Sequence, residues 1–293
     1  MENTLNRRAE LRRVSVAAFL LISLSANTAP SSGIPDLSAG GAGWLNTHND
    51  FILPRSGPGP VTWDPAHPYF GNGDGPRPTA RVADLANPIL MRWVRDALKT
   101  FNDDALAGKP QFTPIARCWP NGVPGAILLR VNPMYIVQSA NEVVFLYQSD
   151  HQIRHVYMNV PHSKSVMPSW YGESIGHYEG DTLVVDTIGQ NTQTFVDNYR
   201  TPHSEKLHVV ERFHIINDGK NLKADIFLED PATFKQPLHV THTWRRAVAD
   251  ERGDRGQSPL GEQSCAEAGP GNFEFSTNPN VVEPIPTAAK ADF

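Results

Sequence analysis

Between Pro133 and Arg246 apolar and polar residues alternate with period two, and turn-forming residues interrupt the alternation. Tyr135–Ser139, Glu142–Gln148 and Gln152–Asn159 read as successive strands joined by short turns at Ala140-Asn141 and Ser149-Asp150-His151, which suggests a meander. From Ser174 to Thr187 the pattern predicts a strand, a Gly-centred reversal at Glu179-Gly180-Asp181, and a second strand rich in β-branched residues. A longer polar loop spans 189–206. Leu207–Ile216 and Asn221–Asp230 then form the clearest hairpin in the chain, turning at Asp218-Gly219, and Leu238–Arg246 adds one more strand. The prediction is a mainly β fold of about eight or more strands, either a lipocalin-like antiparallel barrel or a sandwich. Closure removes every unpaired strand edge, so the barrel is the first choice.

Before the strands the period changes. Leu90, Met91, Val94, Ala97, Leu98 and Phe101 recur at helical spacing, Asn87 can cap the segment, Pro88 suits its first position, and Gly108 and Pro110 end it. Arg92, Arg95, Asp96 and Lys99 form a charged stripe, so this helix should lie against the domain. Residues 30–80 show little periodicity and many breakers, with room for one short strand near Asp50–Leu53. The expected organisation is a signal peptide over 1–29, an irregular arm plus amphipathic helix over 30–110, an antiparallel β domain over 111–246, and an irregular tail over 247–293.

Composition narrows the partners. The formal charge of −5 and the lack of a basic cluster beyond the first residues argue against a nucleic-acid surface. Arg7, Arg8, Arg12 and Arg13 precede an apolar run, Val14–Leu24, that is too short to span a bilayer, and small residues follow at Ser25, Ala26 and Ala29. That layout predicts export to the periplasm or outside of a bacterial cell, with no stable membrane span after removal of the signal. Arg12-Arg13 invites a twin-arginine reading, but the residues after it match poorly. Export in turn makes Cys118 and Cys265 a natural disulfide pair, worth roughly 5 kcal/mol at best in the chain-entropy model; two unrelated buried thiols are the alternative.

The candidate chemistry comes from strand registers. If Asp218-Gly219 is the turn, Ile215 faces Leu222, Phe213 faces Ala224, Glu211 faces Ile226 and Val209 faces Leu228. Arg212–Asp225 and His208–Glu229 then pair on the polar face. Glu211 shares the apolar face with Val209 and Phe213, where a carboxylate needs a partner or a proton. His242 lies on the apolar side of its own strand with Leu238, Val240 and Trp244. Glu211 and His242 are therefore candidates for an acid–base pair in a cavity, the alternative being a buried Glu–His or Glu–Arg hydrogen bond that only orders the core. His177 and Asp186 fall on one face of the central hairpin and form the second candidate pair, against the simpler reading of a surface histidine near a turn. Arg154 and Tyr157 are candidate neutralising or hydrogen-bonding groups. Trp170 and Trp244 can line an apolar pocket, although core packing explains most of the aromatics.

His155, His162, His203 and His239 are scattered, and no local spacing forms a metal-ligand motif. There is no nucleophile elbow, P-loop or dinucleotide fingerprint. No metal and no cofactor are expected.

The block Ser174-Ile-Gly-His-Tyr-Glu-Gly-Asp-Thr-Leu-Val-Val-Asp-Thr187 resembles one shared by a widespread group of exported bacterial proteins of unassigned function. The likeness extends to Ala116-Arg117-Cys118, Arg154–Met158, Pro168-Ser169-Trp170, Glu211-Arg212-Phe213 and Glu229-Asp230-Pro231, and ends near Cys265-Ala266-Glu267. Where that group often has Cys-His-Glu-Gly-Asn, this chain has Cys265-Ala266-Glu267-Ala268-Gly269, which removes a histidine role there. The resemblance implies export, β architecture and the cysteine pair, and no activity. The sequence thus leads to an exported β-barrel enzyme doing cofactor-independent acid–base chemistry (lyase, isomerase, cyclase or hydrolase) on a small apolar or aromatic molecule. A non-catalytic, lipocalin-like binding protein of the cell envelope is the alternative, and a structural envelope protein the third.

Overall fold

The computed structural model describes residues 33–69, 80–109, 111–128, 133–149 and 152–247. The expected signal peptide, nearly all of the expected tail and Cys265 lie outside the described residues, so the Cys118–Cys265 pairing falls partly outside them too. Nine strands follow one another around a closed barrel: β1 (Trp44–Asn46), β2 (Met134–Gln138), β3 (Glu142–Tyr147), β4 (Gln152–Met158), β5 (Glu173–Glu179), β6 (Thr182–Ile188), β7 (His208–Ile216), β8 (Asn221–Glu229) and β9 (Leu238–Arg246). Each pairs with the next, and β9 closes on β1 through Trp44↔Arg246 and Asn46↔Trp244.

The expected hairpin registers are present. Glu211 faces Ile226 and Phe213 faces Ala224, and Asn217, Asp218 and Gly219 at the turn all take positive φ. The central hairpin turns at Gly180-Asp181, with Glu179 opposite Thr182. One joint differs from an all-antiparallel meander: β4 and β5 run parallel, Val156 opposite Ser174. A parallel neighbour needs a crossover connection rather than a tight turn, and the Pro- and Ser-containing loop after Asn159 supplies it.

Strand alternation fills the barrel. Gln152, Arg154, Val156 and Met158 are buried on β4 while Ile153, His155 and Tyr157 are exposed. On β9 the buried set is Leu238, Val240, His242 and Trp244. Most of the interior is apolar, with Trp44, Trp244, Phe145 and Phe213 its largest side chains. Two of these, Phe145 and Phe213, meet with ring centroids 5.1 Å apart.

The helix, α1, spans Arg92–Leu106 and buries Val94, Leu98, Asn102 and Ala105. It starts later than expected, and Met91 rather than Asn87 precedes it; the Asn87 carboxamide instead accepts from the Ile89 amide. Asn102 is buried because its carboxamide closes two 2.8 Å hydrogen bonds with the Ala83 backbone, which tie the arm to the helix. The expected strand near Asp50–Leu53 is a single bridge, Ile52 to Thr241; the true first strand lies earlier, at Trp44–Asn46. The 3-10 turn Gly125–Leu128 reaches β1, where Asn46 donates to the Ile127 carbonyl. Among the described residues no helix is long and apolar enough to cross a membrane.

Candidate functional site

Inward-facing positions on four strands bring a polar cluster to the barrel centre. Arg154 of β4 and Glu211 of β7 are fully buried and joined Nη2 to Oε2 at 2.5 Å. The same guanidinium donates from Nη2 to Thr187 Oγ1 at 2.8 Å and from Nε to Ser174 Oγ at 3.1 Å, and the two hydroxyls lie 2.9 Å apart. These hydroxyls belong to strands β5 and β6, which pair Ser174 with Thr187 directly. Arg154 also stacks over Phe145, 5.5 Å from the ring centroid.

Burial lowers the affinity of an isolated guanidinium for its proton, but the Glu211 carboxylate beside it more than reverses this, so Arg154 is held charged. The Tyr147 phenol next to the pair is pushed up, first by burial, so it stays protonated. Several polar atoms here have no well-aligned hydrogen bond: Arg154 Nη1, Glu211 Oε1, Gln148 Oε1, Gln152 Nε2 and Tyr147 Oη, the last lying against the Arg154 guanidinium. Orphaned buried polar atoms are rare, a few per hundred residues, so these five, on β3, β4, β7 and the turn after β3, call for partners such as water or a guest. The space beside Tyr147 and Gln148 is small. A void of about 10 Å³ lies between Tyr147, Gln148, Ser149 and Trp244 on one side and Ala126 and Ile127 of the 3-10 turn on the other. A single water needs about 10–15 Å³.

His242 faces inward as predicted, but it does not reach Glu211. Its strand neighbour on β8 is Ala224, whereas that of Glu211 is Ile226, and no hydrogen bond or ion pair joins the two side chains. The imidazole packs instead against Trp244, 4.7 Å between centroids, and edge-on to Phe51 at 6.5 Å. Burial, with a smaller push from His48, lowers its pKa to about 3 against a slight opposing effect of the Asp50 backbone, so the ring is neutral.

The outer face carries a second cluster. His177 and Asp186 do share a face, but His177 contacts Glu179 at 3.0 Å, and Asp186 is taken by two other histidines. His162 Nε2 and His208 Nε2 reach Asp186 Oδ1 at 3.0 and 2.9 Å, while His162 Nδ1 reaches Glu173 Oε1 at 3.0 Å. Ser163 adds backbone and hydroxyl donors to Glu173. This set clasps the crossover loop to β5, β6 and β7. Of the expected polar-face pairs, Arg212 turns to Glu179 at 2.5 Å, and Asp225 is held by Lys223 and Thr241. Among the described residues no group of three or more His, Cys, Asp or Glu side chains is arranged to hold a metal ion.

No protein-family model matches the chain, and no curated protein matches it.

Of the residues picked from the sequence, Arg154 and Glu211 therefore meet, and Trp244 borders the void beside Tyr147. Tyr157 is half exposed on the outside of β4, and Trp170 packs at a tilt of 46° against Trp119 in the outer loops, 5.2 Å between centroids. Tyr147, Gln152, Ser174 and Thr187 went unremarked. Alternation on β3 places Tyr147 with Phe145 and Val143, so its inward direction was readable; the convergence of four strands on one guanidinium was not.

Proposed function

We propose that this is an exported small-molecule-binding barrel whose polar recognition centre is the Arg154–Glu211 pair with Tyr147, Gln148 and Gln152. The observation that carries the reading is the set of five buried polar atoms without partners around that pair. Donors and acceptors are mixed among them, which suits waters or a guest with both kinds of group. A guest larger than one water enters only if Ala126 and Ile127 of the capping turn move aside. Export rests on the layout of Met1–Ala29, and the Cys118–Cys265 bridge belongs to the same proposal. Native mass spectrometry of the protein taken from its own cell envelope tests the reading. The expected result is a non-covalent mass excess that disappears in Arg154→Met. A chain with no adduct, together with density showing only waters at the five atoms, would refute it.

A second reading, acid–base conversion of the guest, is favoured by one feature. Glu211 Oε1 has no hydrogen-bond partner and Tyr147 Oη lies beside the same guanidinium, so a carboxylate base and a phenol acid would be available together. His242 is not part of that chemistry. Glu211→Gln should then leave affinity intact and stop turnover; loss of affinity with no product from the wild type would leave binding alone.

A further inference from the structure

A groove unrelated to the barrel centre opens where β1 runs on along the edge of β9. Thr47 and Ile52 amides donate to the Thr243 and Thr241 carbonyls at 3.1 and 2.9 Å, and the residues between them bulge away. Opposite lies a short ribbon of the arm, in which Asp64 and Asp84 amides bond the Val82 and Thr62 carbonyls and Trp63 bridges Ala83. The groove between has a volume of about 290 Å³, and His48, Asp50, Phe51, Trp63, Tyr69 and Arg81 are among its lining residues. We propose that it binds a single pyranose ring of a neutral sugar or glycan.

Three features select that chemistry. First, Asp50 and Arg81 oppose one another at 3.4 Å, so their charges cancel and neither a carboxylate nor an ammonium ligand is favoured. Second, the contact is not a hydrogen bond: Asp50 Oδ1 and Arg81 Nε have no hydrogen-bond partner, although Tyr199 donates to the other oxygen of Asp50 at 3.3 Å. Both atoms are covered from solvent, so a sugar hydroxyl reaches them as the two side chains part; it then donates to the carboxylate and accepts from the guanidinium, and adjacent ring hydroxyls supply both functions at once. Third, Trp63 is 46% exposed at the groove, a flat apolar face for the C–H side of a sugar, and Tyr69 is fixed by the Arg81 guanidinium 4.8 Å above its ring. Ligand pockets span about 300–1,000 Å³, so the volume suits one ring rather than an extended chain.

The site does not rest on the barrel-centre reading, and one titration separates the two. Glucose, galactose, mannose and N-acetylglucosamine are titrated by saturation-transfer NMR and calorimetry into the full chain, Trp63→Ala, Asp50→Asn and Arg154→Met/Glu211→Leu, with benzoate as a charged aromatic control. The expected result is saturable binding of at least one pyranose, weakened roughly tenfold or more in Trp63→Ala and Asp50→Asn. Arg154→Met/Glu211→Leu, which removes the buried pair whole, should bind the sugar as the wild type does. Trp63 projects from the surface, so Trp63→Ala keeps the test valid even where Asp50→Asn loses the fold. No saturable binding of any of the four, undiminished binding in Trp63→Ala, or tighter binding of benzoate than of any sugar would overturn the proposal.

Discussion

His242 gives the protein a predictable sensitivity to acid. The ring is buried between Phe51 and Trp244, and burial together with His48 depresses its pKa from 6.5 to about 3. The unfolded chain takes up a proton below pH 6.5, whereas the folded chain does not until about pH 3. Stability therefore falls as pH falls from 6.5 and stops falling below the folded value. Each unit of pH in that window is worth about 1.4 kcal/mol, so lowering pH from 7.5 to 5.0 removes about 2 kcal/mol through this group. That figure needs only a folded pKa well below 5 and is insensitive to where below it lies. Asp50 and Asp197 act in the opposite sense: burial raises both, Asp197 to about 6, so each holds its proton more readily folded than unfolded. The comparison must therefore be made between the wild type and His242→Leu, by urea unfolding at both pH values. Leucine is close in size to the imidazole and leaves no unpartnered nitrogen, so the variant should match or exceed the wild type at pH 7.5. It should also lose about 2 kcal/mol less on going to pH 5.0. Parallel losses in the two proteins would refute the assignment of a buried neutral imidazole.

Other consequences are accessible to the same assays. Arg154→Met or Glu211→Gln alone should cost about 3–5 kcal/mol, because each strands a charge or polar group in the core; Arg154→Met/Glu211→Leu should recover most of that in a double-mutant cycle by urea unfolding. The outer clasp should give a shallow stability maximum. Hydrogen bonding to Asp186 raises His208, so its contribution is full below pH 6.5 and fades as pH rises through its folded value. Burial pushes Asp186 up, but the bonds from His208 and His162 outweigh it and lower it, so its contribution is full above pH 3.8 and fades as pH drops through its folded value. His208→Gln should flatten the profile around pH 4–6.5 by about 0.5 kcal/mol, a small amount because the groups are partly solvated. Gly172→Ala should cost about 2 kcal/mol or more, read as a fall in Tm: its φ is +65°, and an added Cβ would lie 2.2 Å from the Ile188 carbonyl oxygen.

The barrel was legible because alternation is a local property and the turn residues fix register. Asp218-Gly219 alone placed Glu211 opposite Ile226 and set both faces of the β7–β8 hairpin. The same reasoning failed wherever partners came from distant elements. Inward direction alone pairs Glu211 with His242, yet the residue that reaches it is Arg154, across the barrel on β4. Asp186 was given His177 from its own hairpin, yet takes His162 from the crossover loop and His208 from β7. Neither choice was available before β4 and β5 were known to run parallel, since that crossover carries His162 to the sheet. The groove was invisible for a different reason. Its residues sit in the irregular arm and just beyond a three-residue strand, where no periodicity marks a direction for any side chain.

The energetics of the two clusters separate structural from functional explanation. The outer histidines and carboxylates are partly solvated, so their association costs little and contributes little; fastening the crossover loop accounts for them. The Arg154–Glu211 pair is the buried Glu–Arg hydrogen bond that orders the core, but that role does not account for the unpartnered atoms it carries. Two buried charges usually stabilise a fold no better than apolar residues of the same size, and here the desolvation is compounded by donors and acceptors left without partners. Much of the rest of the barrel interior is filled by Trp44, Trp244, Phe145, Phe213 and aliphatic side chains. Folding alone therefore does not explain why a guanidinium occupies the centre. An oriented arginine, fixed by Ser174 and Thr187 and balanced by one carboxylate, is the arrangement expected where a polar guest must be recognised away from bulk water.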